Sequence, residues 1–245
     1  MTKPLPPPLP PAERTVGQLV AESMRLYGQR FWASLALGLS VAVLFQFLGS
    51  RPGFEWVLVL WAGAPLLTLA YIRAVVIASG AAATRRSVLV ALVGGTLALL
   101  PAAVLLRIYV IPGLAWLAFV GLVVPVAIIE RRGLFASFSR AATLAKADFV
   151  HALGSLATLT IVFALTAGVL GLLLQGQADS AERVAAFLAD LVISPVLFLG
   201  ASLLYFDQAA RVVDSVPREK RRRDAGLHHV VDAHGSGRPD TEVES

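Results

Sequence analysis

Six runs of apolar residues, each close to the roughly 20 that a helix needs to cross a bilayer, constrain this chain more than any other feature. They cover residues 31–49, 56–79, 87–106, 108–129, 149–174 and 185–206. The first holds no charge. Between the third and fourth, only Arg107 and the Pro112-Gly113 pair interrupt the apolar pattern. A tight turn between two helices is expected there, since one helix of about 40 residues would far exceed the bilayer thickness. The expected fold is therefore all-α: a polytopic membrane bundle of about six transmembrane helices, with amphipathic helices at the interface.

Composition agrees. Apolar residues make up 57% of the 245 and charged residues 15%, against about 25% charged in soluble domains, and the mean hydropathy is +0.74. A water-soluble fold of this size lacks the polar cover for so much apolar surface. There is no cysteine, which excludes disulfides, zinc–thiolate sites and iron–sulfur clusters. The net charge is +5. Because the charges sit at the margins of the apolar runs, they are read as topological signals rather than as a nucleic-acid surface.

The distribution of Lys and Arg sets the expected orientation. Of 21, 18 lie before the first span, with the second connection (counting Arg73 near the end of the second span), in the fourth connection or after the sixth span; Arg51, Arg107 and Arg183 are the others. Positive residues collect on the cytoplasmic side, so both termini are expected there, a result that requires an even number of spans. No cleavable signal peptide is expected, because the opening MTKPLPPPLPPAERT has no short apolar region.

Outside the spans, residues 1–14 read as a proline-rich cytoplasmic tail. Residues 15–213 form the membrane domain. Val16, Leu19, Val20, Met24 and Tyr27 recur at helical spacing, so a surface helix is expected over 15–29, with Thr15 as N-cap. A second surface helix is expected over 133–147, with Leu134, Phe135, Phe138, Ala141, Ala142 and Ala145 on one side. Residues 214–245 read as a basic, then polar, disordered cytoplasmic tail. Its run Arg218, Lys220, Arg221, Arg222 and Arg223 is a candidate contact for anionic lipid head groups, worth about 1 kcal/mol per charge near the surface; topology signalling explains it as well.

Charged groups at membrane depth are functional or paired, which singles out Arg73, Glu130, Arg140, Asp190, Asp207 and Arg211. Glu130 is expected to pair with Arg140 or with Arg73. Asp207 and Arg211, four apart, can meet on one helix face; the plain reading is a salt bridge at a helix end. Asp190 is placed near the outer interface. His151 has no second ligand at metal spacing, so no metal site is expected, and no catalytic residue or cofactor site is expected either. Gly63, Gly94, Gly95, Gly168 and Gly171 permit close helix contact. Pro65, Pro101, Pro125 and Pro195 fall inside spans and can frame a cavity or serve as tolerated packing features.

Three segments together resemble one family: VGQLVAESMRLYGQRF (16–31), VVPVAIIERRGLFASFSRAATLAKADFVHALG (123–154) and LLYFDQAARV (203–212). They are similar to the membrane domain associated with glycerophosphoryl diester phosphodiesterases and to the YciC-like bacterial membrane proteins. Pro125, Glu130, Gly133, Ala136, Arg140, Leu144, Tyr205 and Asp207 stand where that pattern places them. Ala141 departs from the usual Ser, and Gln208-Ala209-Ala210 departs from the usual ending, although Arg211 is close. The resemblance implies a multi-pass protein of the bacterial inner membrane. It also implies no enzyme activity here, since the family's phosphodiesterase chemistry resides in a separate barrel of about 250 residues. The tail sequence DAHGSGRPDTE (232–242) faintly resembles that enzyme's motifs, but has no barrel strands to hold a site.

The function expected is therefore non-enzymatic: membrane organisation, or interaction with lipid or with a protein partner. The alternative is a transporter or lipid-handling protein with a cavity among the proline-bearing helices. A wet central cavity lined by Arg73, Glu130 or Asp190 favours transport; a solid core with those groups at the rims favours a structural role.

Overall fold

A computed structural model describes residues 11–48, 54–173 and 179–235, and these are helical with no strand among them. After a short 3-10 turn, Pro11–Glu13, come α1 (Val16–Gln29), α2 (Phe31–Leu48), α3 (Glu55–Ser79), α4 (Arg85–Ile108), α5 (Val110–Val120), α6 (Val123–Pro125), a π turn (Val126–Glu130), α7 (Leu134–Ala147), α8 (Phe149–Leu173) and α9 (Asp179–Gly235). Six segments are long and apolar enough to cross a membrane: α2, α3, α4, the composite Val110–Glu130, α8 and the Ser180–Val213 part of α9. The protein is a multi-pass integral membrane protein.

Local chemistry sets the helix boundaries. Thr15 and Gln18 form a capping box at the start of α1, where the Gln18 side chain accepts from the Thr15 amide at 2.8 Å. Thr84 and Ser87 do the same at α4; each box satisfies N–H groups that have no partner inside the helix. Gly80 ends α3 in the left-handed region at φ 66°, a conformation glycine adopts without steric cost. The junction between the third and fourth spans is a break of one residue at Tyr109, φ −148°. There a Cβ on Gly113 would stand 2.5 Å from Leu106 Cγ, so the turn closes tightly only because residue 113 lacks a side chain.

The fourth span is not continuous. Pro125 has no N–H to continue the hydrogen-bond ladder. The helix is interrupted at Gly121-Leu122, resumes as α6 and passes into the π turn Val126–Glu130. Arg131 then adopts φ 54° and turns the chain toward α7.

The last span is the central post: α2, α8, α1, α3 and the Pro11–Glu13 turn all pack on α9, while α4 packs between α3 and α5. Close seams depend on small residues. A Cβ on Gly38 would lie 1.9 Å from the Leu191 carbonyl oxygen, and one on Gly95 would lie 2.4 Å from Thr68 Cγ2. Trp61 and Trp116 donate their indole N–H groups to the carbonyls of Leu100 and Ala98, 2.8 Å each. An indole N–H in apolar surroundings needs such an acceptor.

Several expectations are corrected. Pro11–Glu13 and Arg14 dock on α9, so they belong to the bundle rather than to the tail; residues 1–10 lie outside the described residues. Leu19 of α1 is fully buried against the bundle, so α1 is a packed element as well as an amphipathic one. The inner face of α7 is Ser137, Ala141, Leu144 and Ala145. Phe135, expected on that side, is 88% exposed, because two residues place it about 200° round the helix from Ser137, on the opposite face. Gly168 and Gly171 have nothing within 4 Å of an added Cβ and close no seam; Gly63, Gly94 and Gly95 do. Past the membrane, α9 continues as helix to Gly235 where a disordered tail was expected, and the Arg, Lys, Glu and Ala of that stretch are good helix formers. Only the backbone is described for Arg218, Lys220, Arg221, Arg222 and Arg223, and residues 236–245 lie outside the described residues.

Candidate functional site

Two charged clusters and one cavity draw on the residues singled out above. The π turn ends on Glu130, whose carboxylate accepts from Arg132 Nε, from Arg140 Nε at 3.1 Å and from the Tyr205 hydroxyl at 3.1 Å. The fourth span, α7 and α9 thus meet on one carboxylate. Hydrogen bonds to an ionised group are about twice as strong as neutral ones. Arg140 is therefore the partner of Glu130. Arg73 is exposed and takes no part. Pro125 stands one turn ahead, where it imposes the break that precedes the π turn.

The second cluster overturns the expected Asp207–Arg211 pair. Asp207 is fully buried and accepts from Arg14 Nη1 at 2.8 Å, across 193 residues of sequence. Its other oxygen lies 3.6 Å from His151 Nε2. Arg211 turns instead to Asp148, whose Oδ2 accepts from Nη1 at 2.7 Å, and it donates from Nη2 to the Arg14 carbonyl at 3.1 Å. Arg211 Nη2 also lies 3.3 Å from His151 Nδ1. The imidazole thus stands between the Arg211 guanidinium and the Asp207 carboxylate, and His151 Nε2 and Asp207 Oδ2 are buried without a hydrogen-bond partner. Asp148 Oδ1 accepts from the His151 amide and caps α8, and Gln208 donates to the Asp148 carbonyl at 3.1 Å. Same-helix spacing allowed Asp207 to meet Arg211, but the segments packed against α9 offered each a partner in better geometry.

Asp148 is the carboxylate that the reading of His151 passed over, three residues before it. Among the described residues, no group of three or more His, Cys, Asp or Glu is arranged to hold a metal. Asp190 is half-buried and stands apart from both clusters.

The cavity lies among α2, α3, α4, α5, α8 and α9 and measures about 300 Å³. Its wall is almost wholly apolar, including Phe45, Leu67, Ala98, Leu117, Phe163 and Leu197. The polar groups that reach it are largely engaged elsewhere. The Thr68 hydroxyl donates to the Ala64 carbonyl at 2.8 Å, and the Tyr71 hydroxyl donates to the Ala201 carbonyl at 3.2 Å. Arg73, Glu130 and Asp190 do not line it. Each span proline stands within three residues of the wall: Pro65 near Thr68, Pro101 near Leu99, Pro125 beside Val124 and Pro195 near Leu197. A cavity is therefore present, but its wall is apolar and holds none of the three charged residues named for a wet one. No sequence signal marks its wall residues, because apolar residues in a span look alike whether they face lipid, a neighbour or a void.

No family model, curated protein or solved structure matches the chain.

Proposed function

We propose that the protein is a non-enzymatic component of the bacterial inner membrane that works through lipid, holding an apolar molecule of the bilayer inside its helix bundle. The apolar cavity among the spans carries this reading. It is too apolar to stabilise an ion or a polar solute, and a void of that size forfeits the dispersion contacts that a close-packed interior makes. Hydrocarbon from the surrounding bilayer restores them with no polar group left unpaired. The charged clusters fit a holding role, since each ties segments distant in sequence and none faces the cavity.

In the same reading both termini are cytoplasmic, by the placement of Lys and Arg. The run Arg218–Arg223 lies against anionic head groups, and the chain is a relative of the barrel-less phosphodiesterase-associated membrane proteins. The test is native mass spectrometry of the full chain released from nanodiscs, with Thr160→Trp on the cavity wall as comparison. Wild type is expected to retain a lipid-mass adduct that the Trp variant loses at unchanged helicity. Equal adducts in both, or none in wild type, refute the reading.

A further inference from the structure

Two arginines open α4. Arg85 and Arg86 are exposed in its first turn, at the positive end of the helix macrodipole, where a cation is disfavoured. Among the described residues no carboxylate pairs with either. Arg131 comes to the same end of the helix from a distant part of the chain. Its backbone lies in the left-handed region at φ 54°, and its Nη2 donates to the Ala82 carbonyl at 3.3 Å. The chain from Ala82 to Arg85 spans at most about 10 Å, so three arginines gather there. Glu130, next to Arg131 in sequence, is already engaged by Arg132, Arg140 and Tyr205. Below Arg86 the helix carries an apolar stripe. Arg86, Leu89, Val93 and Leu97 recur at the spacing of one helix face, and the last three are exposed. Since α4 is long and apolar enough to be a span, this face meets hydrocarbon. At 1.5 Å per residue, Leu97 lies about 16 Å along the axis from Arg86, close to the depth of one leaflet in a core of roughly 30 Å.

We propose that this edge of α4 binds a phospholipid with an anionic head group, its phosphate held by Arg85, Arg86 and Arg131 and one acyl chain laid along Leu89, Val93 and Leu97. A guanidinium fork matches the oxygens of a phosphate. The bond to Ala82 positions Arg131 and uses one of its five N–H groups, which leaves the others for a ligand. An anion shared by three uncompensated cations also reverses the unfavourable charge at the helix end. A zwitterionic head group brings its own cation to the same place and forfeits much of that attraction. The stripe beneath Arg86 selects a lipid over a soluble phosphate, since it gives hydrocarbon a surface in register with the charges. The site is separate from the cavity, whose α4 wall is Gly95, Ala98 and Leu99 and includes none of the stripe. It therefore stands or falls apart from the lipid held inside the bundle.

The experiment uses the full chain in phosphatidylcholine nanodiscs doped with a trace of phosphatidylglycerol whose acyl chain carries a photoreactive diazirine. A parallel sample carries the same diazirine on phosphatidylcholine. After illumination, labelled positions are located by mass spectrometry. In wild type, phosphatidylglycerol is expected to label Leu89, Val93 and Leu97 several-fold more than phosphatidylcholine does. At Leu165 and Val169, exposed on α8, the two lipids should label equally. The double variant Arg85→Gln/Arg86→Gln should abolish the preference at the α4 stripe, and Arg131→Gln alone should reduce it, with α8 labelling unchanged. Raising the salt concentration should weaken the wild-type preference as well, because exposed charges are screened. Each variant is checked for unchanged helicity and for a C-terminus that reports from the same face as in wild type. Equal labelling of the stripe by the two lipids in wild type overturns the proposal without need of any variant. A preference that survives the double substitution also overturns it, as does one that appears equally on α8. Retention of a lipid-mass adduct in native mass spectra is decided by the cavity and is untouched by any of these results.

Discussion

Gly38→Ala places a Cβ where, among the described glycines, it meets the nearest neighbouring atom. The added Cβ would stand 1.9 Å from the Leu191 carbonyl oxygen, with the Leu191 carbonyl carbon and Cα at 2.7 and 3.0 Å. All three are backbone, so no rotamer change relieves the clash. Even a close carbon–oxygen contact is about 3.3 Å, so α2 and α9 must part by about 1.4 Å. That separation would disturb the packing of Leu37 and Leu199, both essentially fully buried. Overpacking of this kind costs about 1–3 kcal/mol, partly offset by the roughly 0.5–1 kcal/mol that Ala gains over Gly within a helix. Gly168→Ala supplies the control, because nothing lies within 4 Å of its Cβ and only the helix gain of about 0.5–1 kcal/mol remains. Reversible unfolding in mixed micelles, titrated with sodium dodecyl sulfate, should rank Gly168→Ala at or above wild type and Gly38→Ala below it, the two about 1–3 kcal/mol apart. Equal stability of the two variants would refute the claim that α9 is seated on α2 through the missing side chain.

Asp207→Asn leaves Arg14 in a nearly closed site without its counter-charge and should cost about 3–5 kcal/mol in the same titration. Adding Arg14→Met should return part of that loss, whereas strictly additive losses would mean that the two side chains do not act as a pair. Glu130→Gln removes the charge on which Arg132, Arg140 and Tyr205 converge and should cost about 1.5–3 kcal/mol. Arg140→Met made in the Glu130→Gln background should then add little, and a full further loss would show that Arg140 is held by something else.

Glu130 was legible as paired, with Arg140 or Arg73 as the candidates; the structure selects Arg140 and adds Arg132, two residues away, as a second donor. Asp207 and Arg211 were legible as costly, but not as belonging to different partners. Helical spacing predicts who shares a face, and it is blind to Arg14 arriving from the far end of the chain. The prolines pointed to irregular helices, and the break at Gly121-Leu122 followed. That the spans enclose an apolar cavity, whose wall includes none of those prolines, was not visible, since no residue type distinguishes a wall from a lipid face.

The spans, the interruption at Tyr109, the capping boxes and the collection of basic residues at particular connections were determined by sequence alone. Each depends on residues within a turn or two of one another, or on the transfer of a continuous apolar segment into hydrocarbon. Tertiary structure decided the rest: Arg14 on Asp207, the apolar cavity among the spans, the close seat of Gly38 and the fate of Gly168. These depend on which surfaces of distant helices meet. In a bilayer, where every outward face is already apolar, that choice is made by shape and by a few ion pairs rather than by any pattern a single segment carries.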